Sequence, residues 1–88
     1  MRADSGVYPR LGKYFSTTDE FAKAACMTRP TLLAVFQGRR EFTRSEKTAI
    51  CGRLLTMLMR NEIDDPELKP QELLNPDSFD ELFRDKGA

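Results

Sequence analysis

The chain has no histidine, and its two cysteines, Cys26 and Cys51, are far apart and outside any C-x-x-C pair. Neither a zinc site nor a redox motif is therefore indicated, and no cofactor or metal is expected. There is also no Gly-rich phosphate loop and no carboxylate pair that the sequence sets in a cleft. With no acid, base or nucleophile constellation, the chain is not read as an enzyme, and no small-molecule substrate is evident. No apolar run approaches the about twenty residues that span a bilayer, and the start MRADSGVYPR lacks the apolar core of a signal peptide. The expectation is a cytoplasmic protein that uses no membrane, with both cysteines as free thiols packed like small apolar residues.

What is present suits one small domain. Eighty-eight residues with 40% apolar content allow only a modest core, because a chain this short buries little more than half of its unfolded surface. The net charge of zero conceals a division along the chain. Residues 1–61 hold eleven Lys and Arg against five Asp and Glu, a net of +6, whereas residues 62–88 hold three against nine, a net of −6. The first part suits a polyanion and the second repels it.

Apolar residues recur at spacings of three and four rather than two, which predicts an all-α fold, a small bundle of about five helices. A first short helix is expected from Pro9 to Phe15, with Leu11, Tyr14 and Phe15 on its inner side. "TTDE" at Thr17 to Glu20 is a capping box opening a second helix over about Thr18 to Ala25. Thr28 is the next cap, with Pro30 in the first turn, and this helix should reach about Gln37 before Gly38 takes the left-handed stop position. "TRSE" at Thr43 to Glu46 is another capping box, beginning a longer helix through Ile50, Leu54 and Leu58 to about Arg60. Leu55 and Met59 face away from that stripe and need a separate cover. The best local cover is the segment after Asn61, where three prolines intervene and "NPDSFDELF" offers a cap at Asn75 and a helix from Pro76. Leu73, Leu74, Phe79, Leu82 and Phe83 are too apolar for a disordered tail. The expected organisation is a domain over 1–61 and an acidic helical extension over 62–88, packing on that domain or on a dimer mate.

From Thr17 to Leu54 the chain resembles the helix-turn-helix domain of the phage-repressor type, the Cro-like or Xre-like proteins. The run "TTDEFAKAACMTRPTLLAVFQGRR" has a cap, an apolar–Ala pair at Phe21 and Ala22, and an apolar turn residue at Met27. It continues with a hydroxyl cap at Thr28, anchors at Leu32 and Val35, and Gly38 followed by basic residues. "EFTRSEKTAICGRLL" supplies the next helix. Cys26 stands where such proteins usually have glycine, at a position that commonly needs a positive φ. Pro30, Leu33 and Ala34 lie on or near the face these proteins turn to base edges, yet none has a side chain that hydrogen-bonds.

The resemblance implies sequence-specific binding of double-stranded DNA by a repressor-like transcriptional regulator, a homodimer. In that fold the second helix of the motif lies in the major groove, which makes Arg29 and Thr31 base readers, with Leu33 and Ala34 as apolar contacts to thymine methyl groups. Thr28, Gln37, Arg39, Arg40 and Arg44 become phosphate contacts. Phe21, Leu32, Val35, Phe36 and Ile50 have the spacing of core, with Phe42 closing it from the loop side. The competing reading is a protein-interaction module on the same scaffold, using Leu33 and Ala34 as an apolar patch and the acidic segment for a basic partner.

Overall fold

The computed structural model describes residues 6–15 and 17–84; the first five residues of the expected domain and the last four of the acidic extension lie outside them. Among the described residues are five α-helices and no strand: α1 Thr18–Ala25, α2 Arg29–Phe36, α3 Arg44–Met59, α4 Pro70–Leu73 and α5 Phe79–Phe83. Two 3-10 turns, Leu11–Tyr14 and Pro76–Ser78, complete the order.

Local chemistry sets most boundaries. The Thr17 hydroxyl accepts from the Glu20 N–H at 3.1 Å at the start of α1. At α3 the reciprocal box closes, with Glu46 N–H donating to Thr43 Oγ1 at 3.2 Å and Thr43 N–H donating to Glu46 Oε1 at 2.8 Å. Gly38 takes a φ of 78° just after α2, the left-handed stop that a Cβ disfavours. The predicted first helix shortens to one 3-10 turn, in which the Leu11 N–H donates to the Tyr8 carbonyl at 3.0 Å. Leu11, Tyr14 and Phe15 are buried as expected. Just before it, Val7 N–H donates to the Phe36 carbonyl at 3.2 Å. Gly6 has a φ of 51°, and a Cβ there would overlap that same carbonyl oxygen. The turn at Gly6 and Val7 thus clips onto the end of α2 only because residue 6 is glycine.

All six phenylalanines and both tyrosines belong to one ring cluster. Phe21 contacts Phe15, Phe36 and Phe42, Phe42 contacts Tyr8 and Phe79, and Phe79 leads to Phe83 and on to Tyr14, with centroids 4.5–6.4 Å apart. Each ring contributes a large buried area plus roughly 0.5–1.5 kcal/mol per favourable pair. The acidic segment therefore supplies core, with Leu68, Leu73, Phe79 and Phe83 buried. Of the two residues the sequence left uncovered, Leu55 packs against the core and Met59 does not. Met59 remains 78% exposed and Leu55 half-buried, because the phenylalanines insert between Tyr8, Tyr14 and Phe42 instead. No helix among the described residues is long and apolar enough to cross a membrane.

Candidate nucleic-acid interface

The geometry begins at the end of α1. Cys26 has φ 57° and ψ 42°, and Met27 N–H returns to the Ala22 carbonyl at 2.9 Å. A left-handed residue with such a return bond stops a helix abruptly, so α2 begins only three residues later. The Cys26 side chain is exposed, against the expectation of a buried one, because it caps α1 outside the packed face. Cys51 is buried, which pushes its thiol above the ordinary value. Both thiols are free.

Thr28 holds the cap position of α2 in extended backbone, with φ −78° and ψ 156°, yet its hydroxyl caps no amide. It lies 2.8 Å from the Thr31 hydroxyl, so the expected cap is corrected to a pair of side-chain hydroxyls. Thr28, Arg29 and Pro30 are exposed, while Thr31, Leu33 and Ala34 are half-buried. Leu33 packs on the edge of the core. Among the described residues the most exposed large apolar side chains are Met59 and Leu74, on other elements. The Arg29 guanidinium is 61% exposed and 3.9 Å from Asp19, a surface pair that contributes about 0–1 kcal/mol and yields readily to another acceptor.

Beyond α2 the predicted phosphate residues differ in availability. Gln37 and Arg39 are exposed, and Arg39 has no acidic partner among the described residues. Arg40 is engaged in a two-pronged pair with Glu46, at 2.9 and 3.0 Å. Burial pushes the Glu46 carboxyl up, but the bonds from Arg40 and from the Thr43 N–H outweigh it and hold the group below its usual value. Arg40 thus pins the loop to the first turn of α3 with a geometry that favours arginine over lysine. Arg44 meets Asp77 at 2.7 Å in an exposed pair. Asp77 itself sits in the first turn after Asn75, whose side chain accepts from the Asp77 N–H at 3.1 Å.

Sequence reasoning missed Asp77 as a neighbour of Arg44, and Arg84, which reaches Glu41 at 3.3 Å. Partners separated by 33 and 43 positions leave no local periodicity to read. A separate open groove of about 650 Å³ between α1 and α3 is lined by Lys23 and Arg53 together with Glu20 and Glu62, a balance that favours no anion. No family model, curated protein or solved structure matches the chain.

Proposed function

We propose that the chain is a helix-turn-helix protein of the phage-repressor type that binds double-stranded DNA as a homodimer and regulates transcription, repressor-like. The observation that carries this reading is the abrupt left-handed turn at Cys26 followed by a short helix whose first residue presents an exposed guanidinium, Arg29. A helix delivered this way suits lying in a major groove with its first residues against base edges. Arg29 suits the O6 and N7 acceptors of guanine, and the Thr28–Thr31 hydroxyl pair keeps a donor and an acceptor beside it.

Affinity in this reading comes from Arg39 and Arg44, with Gln37 adding a neutral contact. Arg44 must exchange Asp77 for a phosphate, an exchange between two exposed partners that costs about 1 kcal/mol or less. Arg40 contributes its charge but keeps Glu46. The test is a titration of full-length protein with duplex DNA at salt concentrations from low to moderate. Binding whose logarithm falls linearly with the logarithm of salt supports the reading; no binding at low salt overturns it.

A further inference from the structure

Just past α2, Gly38 turns the chain so that Val7, Gly38, Arg39, Arg40, Glu41 and Arg84 line a cleft of about 350 Å³. Three guanidiniums and one carboxylate therefore share a small space. Arg40 is committed to Glu46 by two bonds, and Arg39 has no acidic partner among the described residues. Arg84 holds Glu41 by a single contact at 3.3 Å, and the Glu41 side chain is 80% exposed. A lone contact between exposed groups contributes under about 1 kcal/mol. Two guanidiniums in this cleft are thus available to an acceptor better than a solvated carboxylate, and a phosphate with two free oxygens is one. The negative end of the α2 dipole opposes an anion here, and two guanidiniums on one phosphate offset that opposition.

We propose that Arg84 and Arg39 together hold one phosphate of the DNA backbone in this cleft, with Glu41 as the carboxylate that the phosphate displaces. The inference rests on the DNA-binding reading above and adds to it a residue from the acidic segment. That segment then has two opposite effects at the interface, since Asp77 competes for Arg44 while Arg84 extends the phosphate contacts.

The experiment compares the full chain with Arg84→Ala and Glu41→Gln, by titrating random-sequence duplex DNA over a salt series and checking folding by circular dichroism. Arg84→Ala should lower the salt slope by up to about one unit, since Arg39 alone still faces the shared phosphate, and weaken low-salt binding roughly three- to tenfold. Glu41→Gln should leave the slope unchanged and tighten binding about two- to fivefold, since it removes the competitor and a like charge. If the parent chain binds DNA and a folded Arg84→Ala variant binds with the same slope and affinity, the cleft is not a phosphate site, while the DNA-binding reading stands. If Arg84→Ala fails to fold, Glu41→Gln decides, and unchanged or weaker binding overturns the proposal. Absence of DNA binding by the parent chain overturns both.

Discussion

Cys26 and Asp65 show how single residues set conditions for the rest. A cysteine at a φ of 57° carries backbone strain of order 1 kcal/mol that glycine does not. The exposed side chain has little packing to lose. Cys26→Gly should therefore leave stability unchanged or raise it by up to about 1 kcal/mol, read as an increased denaturant midpoint; a clear loss would mean that the thiol packs in a way its exposure does not suggest. Asp65 ties the first 3-10 turn to the loop before α4, accepting from the Tyr14 hydroxyl at 2.7 Å and pairing with Lys13 at 2.9 Å. The hydrogen bond from Tyr14, and then that from Lys13, hold its carboxyl down at about 2. Burial, and then the bond to Asp65, raise the Tyr14 hydroxyl well above its usual range, so it stays a donor. Because the folded value lies below the unfolded one of about 3.9, the ionised carboxylate stabilises the fold fully above about pH 5, and this contribution is lost as pH falls toward 2. Asp65→Asn should lower the melting temperature at pH 7 and flatten its dependence on pH between 5 and 2, with at most about 2.5 kcal/mol at stake. An unchanged acid limb would remove Asp65 from this role.

Among the elements, the proposed DNA-binding role gives α2 and the loop after it different tasks, base reading and phosphate holding. Arg29→Ala should cost about 1–3 kcal/mol on a preferred site and relax preference at one position. Arg39→Ala should weaken all sequences alike and lower the salt slope by about one unit. Quantitative binding to a preferred duplex and its single-base variants distinguishes them, and a uniform loss for Arg29→Ala would make it another phosphate contact. These elements were legible to different degrees. The caps at Thr17 and Thr43 and the stop at Gly38 announce α1, α2 and α3, because a helix end must satisfy its own amides and carbonyls with nearby residues. The short α4 was not foreseen. Its prolines read as breaks, yet Pro70 stands in its first turn, where proline's missing N–H is no loss. The role of Arg40 was equally hidden. "TRSE" reveals that Glu46 closes a box on Thr43, but nothing local says that its carboxylate also holds a guanidinium six residues earlier.

For the molecule as a whole, the division of charge along the chain does not divide the structure. Burying Leu68, Leu73, Phe79 and Phe83 contributes about 1.5–3 kcal/mol per side chain, a sum comparable to the entire stability of a domain this size. Truncation after Asn61 removes a net charge of −6 and on electrostatics alone should tighten DNA binding. The shared aromatic core predicts the reverse: a largely unfolded chain by circular dichroism, with weakened binding. A folded fragment that binds more tightly would mean the ring cluster is dispensable. The claim on which the functional account stands is that α2 reads bases, and selection of bound duplexes from a random library, run in parallel on the parent chain and on Arg29→Ala, tests it most directly. The account predicts a short enriched motif, two-fold symmetric with half-sites about one DNA turn apart for the homodimer, with the preference lost at one position of each half-site in the variant. Binding without any enriched motif, or an identical motif from Arg29→Ala, would contradict it.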